Sequence, residues 1–151
     1  MSDLSTAAKG RIGETLVGLE MEKRGWFVYR PFFEEKVDLI GLKEREGNLE
    51  YVAIQVKTSF LTKDHSIRIS RSRHMEDLTF YYIFCLIETL EKQPVFIVVP
   101  SVELKEVMKT EFQTPSWKRE GYTFHITSGE KLGKWEKYKN RFMHTKLRKV
   151  G

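Results

Sequence analysis

An acid, an amide and an amine recur in this chain at a spacing that lets them meet: Asp38, then Gln55-Val56-Lys57. A carboxylate and an amide oxygen are hard donors for a small cation, and a lysine beside them can hold or move a proton. Whether they meet depends on the strands that carry them. If the chain turns on residues 44–47, Lys43 faces Asn48, partner numbers sum to 91, and Asp38 lies opposite Ala53. Strand periodicity of two then puts Tyr51, Ala53, Gln55 and Lys57 on one face with Asp38, and Val52, Ile54 and Val56 on the other. An all-apolar set on one side marks the core side, so the polar side meets solvent or a site.

The elements that must hold these residues can be read outward from them. Ala8, Ile12, Leu16 and Leu19 recur at helical spacing, which predicts a helix from about Thr6 to Arg24 ended by Gly25. Strands are predicted over Trp26–Arg30, Val37–Leu42 and Leu49–Thr58, the last two an antiparallel pair. Ser59 to Asp77 is polar and interrupted, with a short strand at Ser66–Ile69 and the basic residues Lys63, Arg68, Arg71 and Arg73. Phe80–Glu88 and Val95–Val99 read as central strands, and Ser101 as the N-cap of a helix to about Thr110. A strand over Gly121–Ile126 and a helix over Leu132–Phe142 complete an α-β-β-β-loop-β-β-α-β-α order, an α/β domain with a mixed sheet.

At 151 residues, with no repeat and four scattered prolines, the chain is expected to form one domain over residues 1–151. An apolar fraction of 40% and a charged fraction of 31% exclude disorder and coiled coil as the main theme. The longest apolar run, Phe80–Ile87, is far short of a bilayer span, and the first residues carry no signal pattern, so a cytoplasmic protein is expected. One cysteine, Cys85, excludes an internal disulfide and a four-cysteine zinc site. His65, His74, His125 and His144 lack metal spacing and are expected at surfaces or interfaces. The net charge of +5 is uneven: the basic C-terminal segment, residues 131–151, carries +7 and the other 130 residues sum to −2. A basic end on a near-neutral body is the outline of a polyanion binder.

Asp38 with Gln55-Val56-Lys57, behind Lys9-Gly10-Arg11-Ile12-Gly13-Glu14 and Gly25-Trp26-Phe27-Val28-Tyr29-Arg30-Pro31, resembles the PD-(D/E)XK nuclease superfamily. The motif of that family is an Asp, a gap, then Glu or Gln, any residue and Lys. The upstream segments look like the start of archaeal Holliday-junction resolvases and related endonucleases, and the resemblance covers about residues 8–59. It implies a restriction-endonuclease-like core, with a mixed central sheet flanked by helices. It also implies Mg²⁺, replaceable by Mn²⁺, as cofactor, DNA as partner, and phosphodiester hydrolysis as the reaction.

On that resemblance Asp38, Gln55 and Glu14 would be the metal ligands, with Gly10, Gly13 and Gly18 letting the first helix approach the sheet. Lys57 would position or deprotonate the attacking water, or stabilise charge in the transition state. Gln55 departs from the commoner Glu and removes one negative charge from the site. Thr58 and Ser59 beside the Lys, Lys9 and Arg11 before Glu14, the residues Lys63, Arg68, Arg71 and Arg73, and Lys139 and Arg141 in the basic end are candidate DNA contacts. One such site cuts one strand, so a homodimer or higher oligomer is expected. Within the class, a duplex-cleaving enzyme of restriction or homing type is favoured. The alternatives are a junction resolvase and a non-catalytic nucleic-acid-binding module whose nuclease site has decayed.

Overall fold

The computed structural model describes residues 4–32, 36–60, 64–109, 113–127 and 132–143. Helix α1, Thr6–Lys23, opens on Ser5, whose side chain accepts from the amide of Ala8, and closes before Gly25, which takes a positive φ of 92°. Strands β1 (Phe27–Tyr29), β2 (Leu39–Arg45), β3 (Asn48–Phe60), β5 (Phe80–Ile87) and β6 (Val95–Pro100) form one mixed sheet in the order β1-β2-β3-β5-β6. All its neighbouring pairs are antiparallel except β3 with β5. The expected fold class, a mixed central sheet flanked by helices, is what the chain adopts. Among the described residues no helix is long and apolar enough to cross a membrane.

Two other strands, β4 (Asp64–Ser70) and β7 (Gly121–Thr127), pair antiparallel as a separate ribbon. A 3₁₀ turn, Arg71–Arg73, follows β4; helices α2 (Ser101–Val107) and α3 (Pro115–Arg119) and a 3₁₀ helix, Gly133–Tyr138, make up the rest. Each face of the sheet has its own core. Val52, Ile54 and Val56 of β3 pack with Val17 and Met21 of α1, Ile83 and Cys85 of β5, and Phe142. On the other face Phe80, Tyr82 and Phe84 meet Ile67 and Ile69 of β4, Phe124 and Ile126 of β7, and Trp135 and Tyr138.

Five expectations need correction. The hairpin turns on Glu46 and Gly47 alone, with φ of 51° and 79°, the paired positive values of a tight two-residue turn. Arg45 therefore pairs with Asn48 and Ile40 with Ala53, two residues from the expected register. A shift of two keeps every side chain on its face, so Asp38 still shares a side with Gln55 but stands level with it rather than with Ala53. The short strand expected at Ser66–Ile69 runs further, over Asp64–Ser70, because Ile67 and Ile69 alternate inward against a partner that lies far along the chain. Strand β6 is an edge rather than a central strand among the described residues, its outer side met by a bridge from Ile97 to Lys139. Ser101 begins α2 without capping it, since its hydroxyl donates to the Asp77 carbonyl and accepts from the Asp77 amide. The last helix is 3₁₀ because Gly133 sits at φ 59° and Trp135 and Tyr138, three residues apart, both point into the core.

Candidate active site

The site begins with the end of β2. Asp38, just before the strand, gives its amide to the Ile54 carbonyl at 2.8 Å, and its Oδ2 accepts from the Val56 amide at 2.7 Å. The carboxylate is thereby bonded into the margin of β3. Helix α1 meets β3 at Thr58, where Gly13 lies so close that a Cβ built on it would overlap the Thr58 hydroxyl. That contact brings Glu14, the next residue, close enough to Asp38 for the Asp38 charge to act on its carboxyl group. Of the three α1 glycines only Gly13 is needed for the approach. Gly10 has open space around it and Gly18 only an ordinary contact with Val28.

Both carboxyl groups are pushed above the usual carboxylate range. For Glu14 burial comes first and the Asp38 charge second; Arg30, whose Nη1 is 3.2 Å from Oε2, and Arg11 pull the other way. For Asp38 burial also dominates, opposed by the Val56 amide, Lys57 and Arg73. Burial lowers the Lys57 ammonium below the ordinary lysine range, Asp38 restores part of it, and Arg73 and Arg68 lower it further. Lys57 feels the Asp38 charge without an ion pair among the described residues.

Gln55 is almost fully buried and its Nε2 donates to the Lys36 carbonyl at 3.4 Å, so the polar side of β3 is covered at this point rather than open to solvent. Ser59 is buried on the same side. Thr58 points the other way, its hydroxyl enclosed under Gly13 with no hydrogen-bond partner. Arg68 and Arg73 are close enough to shift Lys57, whereas Arg71 donates to the Lys118 carbonyl. Lys9 is half-buried and Arg11 exposed, both on α1. Lys139 and Arg141 lie at the β6 edge, two strands away from β3, and are not brought to the carboxylates. Lys63 and the ends of the basic segment, residue 131 and 144–151, lie outside the described residues.

Glu14, Asp38, Gln55 and Lys57 are thus held by α1, β2 and β3, behind a sheet of known order. The whole chain can be compared on that basis. The fold resembles that of a bacterial homing endonuclease. The structure of that enzyme, I-Ssp6803I, superposes with a TM-score of 0.59 at 22% identity over 89% of this chain and 86% of that one. No family model matches the chain, and no curated protein does.

Three participants were missed in the sequence. Arg30 holds the second oxygen of Glu14; it stands in the quoted segment before Pro31, but nothing in its spacing marks it as a partner. His74, expected at a surface, is half-buried: its Nδ1 is 2.7 Å from the Tyr82 hydroxyl, its ring stacks on Tyr82, and Trp117 meets it edge-on. Tyr82 is the sheet neighbour of Gln55, so this contact ties the segment after Arg73 to the strand beside the site. His65, also expected at a surface, is fully buried. Among the described residues no three His, Cys, Asp or Glu side chains gather as a metal cluster, so Glu14 and Asp38 stand as a pair of carboxylates with an amide nearby.

Proposed function

We propose that this chain is a Mg²⁺-dependent DNA endonuclease of the PD-(D/E)XK type, hydrolysing duplex DNA in the manner of a restriction or homing enzyme. The observation that carries the reading is the geometry at the margin of β3: Asp38 is bonded to the Val56 amide and level with Gln55, Lys57 stands two residues further on the same face, and the Gly13–Thr58 contact sets Glu14 beside them. Structural likeness to I-Ssp6803I supports the choice of class.

The donor set fits the ion. Glu14 and Asp38 are half-buried carboxyl groups set side by side, where a dication would offset their mutual repulsion, and Mg²⁺ needs only one or two carboxylates before water and phosphate oxygens complete its shell. Gln55, anchored through Nε2, has its amide oxygen to offer as a third donor. When bound, the ion would polarise the phosphoryl oxygen and make water a stronger acid.

The chain's own residues do the rest. Asp38, fixed through the Val56 amide, orients the site. Lys57, with its proton loosened by burial and two arginines, takes a proton from the attacking water or holds the charge that develops on phosphorus. Arg73 balances phosphate charge beside it. Each site cuts one strand, so a duplex cut needs a second copy, and a homodimer or higher oligomer of this single-domain chain is the working unit. The unpaired buried thiol of Cys85 agrees with a reducing, cytoplasmic setting.

The test is incubation of wild type and Lys57→Ala with supercoiled plasmid, linear duplex and a four-way junction, in Mg²⁺ or EDTA. Metal-dependent cleavage by wild type alone is expected on the duplex substrates. Cleavage confined to the junction would make the chain a resolvase. Binding with no cleavage of any substrate would favour a module with a decayed site.

A further inference from the structure

The ribbon of β4 and β7 has two unlike faces. Inward, His65, Ile67, Ile69, Phe124 and Ile126 are buried in the core. Outward, Ser66 and Arg68 on β4 and Thr123, His125 and Thr127 on β7 are exposed, and cross-strand pairing sets Ser66 beside His125 and Arg68 beside Thr123. Every one of these five side chains can make hydrogen bonds, and none is acidic. Of the acids nearest in sequence, Asp64 pairs with Thr127 in the last row of the ribbon, and Glu120 precedes β7 at the other end.

The same ribbon closes on a basic end. Ser70 pairs with Gly121, and there the 3₁₀ turn bearing Arg73 and the helix bearing Lys118 and Arg119 are joined by the hydrogen bond from Arg71 to the Lys118 carbonyl. β4 packs against β3, the strand that carries Gln55 and Lys57, so the ribbon adjoins the proposed cutting centre. The sheet face at the opposite end of β3 differs in kind: there Phe27, Leu49 and Tyr51 are exposed and apolar.

We infer that the outer face of the β4–β7 ribbon lies in the major groove of duplex DNA and reads base edges, while its basic end holds the phosphates that flank them. This rests on the endonuclease reading and adds the element that chooses where the enzyme binds. The major groove is about 12 Å wide and admits a two-stranded ribbon. Side chains two apart on a strand are separated by about 7 Å, so three rows span roughly 14 Å. That length matches about four base pairs at ~3.4 Å each. Arg68 has the fork that pairs with the O6 and N7 of guanine, and the hydroxyl groups and His125 supply shorter contacts. Thr123 accepts from Arg68 Nη1 at 3.4 Å, which aims the guanidinium from beneath.

The experiment is enrichment of duplexes with a randomised central stretch, in EDTA so that binding is read without cutting. The proteins are wild type, the Arg68→Ala/His125→Ala double variant and Arg119→Ala, each checked for an intact fold by circular dichroism. Wild type is expected to enrich a motif. The double variant should lose roughly tenfold or more in preference at each contacted pair, over a contiguous stretch of about four pairs, yet keep salt-sensitive affinity for unrelated duplex. Arg119→Ala should weaken all sequences evenly. An unchanged motif from the double variant, no motif from wild type, or loss of all DNA binding by the double variant would each overturn the inference. Failure of the endonuclease reading would show separately, as absence of metal-dependent cleavage.

Discussion

Two antiparallel strand pairs flank the carboxylates, and they are made in opposite ways. β2 and β3 are joined by a turn of two residues, and β3 continues straight into the site. β4 and β7 pair residues 51 to 63 positions apart, from Ser70 with Gly121 to Asp64 with Thr127. The local pair, with α1 laid across it, carries every group proposed for bond breaking. The remote pair carries neutral and basic side chains on an outward face. Reactive atoms need fixed distances, which a short hairpin and a close-packed helix provide, whereas a surface that meets a duplex needs reach and a changeable set of side chains.

The sharpest way to separate the two pairs is Asp38→Ala. On the nuclease reading it should lower the cleavage rate by about 10³-fold or more, while duplex affinity stays the same or rises because a negative charge facing phosphate is gone. Gel shift beside plasmid nicking checks both; cleavage at the wild-type rate would remove Asp38 from the site. A smaller break comes from Gly13→Ala. Its Cβ would displace Thr58 and lift Glu14 away from Asp38, for a stability loss of about 1–3 kcal/mol and a fall in cleavage on the order of 10²-fold. Adding Thr58→Ala, which removes the atoms beyond Cβ, should recover part of both losses. Recovery of stability alone would mean that the helix contact does not set the chemistry.

The smallest effect is electrostatic. Glu14 and Asp38 both have raised pKa values in the folded chain, so their contribution to stability is fully present below the unfolded carboxylate range and is lost as pH rises through the folded values. Without divalent ions, Asp38→Asn should therefore melt a few degrees above wild type at neutral pH and show little difference at about pH 4. The Asn side-chain oxygen can still accept from the Val56 amide. Added Mg²⁺ should raise the melting temperature of wild type and leave that of the variant unmoved. Equal melting at both pH values would place the strain elsewhere.

What could be read beforehand follows the same division. Local signals identified the hairpin, the helix before it and the face shared by Asp38, Gln55 and Lys57. The turn was placed two residues too wide because a charged four-residue stretch hides a Glu-Gly pair with positive φ. Parity protected the site from that slip. The ribbon was legible only in halves: Ile67 and Ile69 alternate, as do Phe124 and Ile126, but nothing local says that they pair. Arg30 and His74 act through partners brought by tertiary packing, and no spacing rule foretells an ion pair between a helix and the residue that follows β1. Thr58 reads as a candidate DNA contact beside Lys57, and the helix that encloses it is invisible in the strand itself.

The distance along the chain between β4 and β7 also bears on how the molecule is made. Closing a loop of about fifty residues costs on the order of 3 kcal/mol more chain entropy than closing a two-residue turn. A hairpin forms within roughly 1–10 μs, and a ribosome adds only about 5–20 residues each second. Several seconds therefore pass between synthesis of β4 and arrival of β7. Through that interval Ile67 and Ile69 have no partner strand, and β4 is an open edge on which another nascent copy could pair. The elements that carry the two carboxylates, α1 to β3, leave the ribosome first, and the ribbon is the strand pair that waits longest for its second strand.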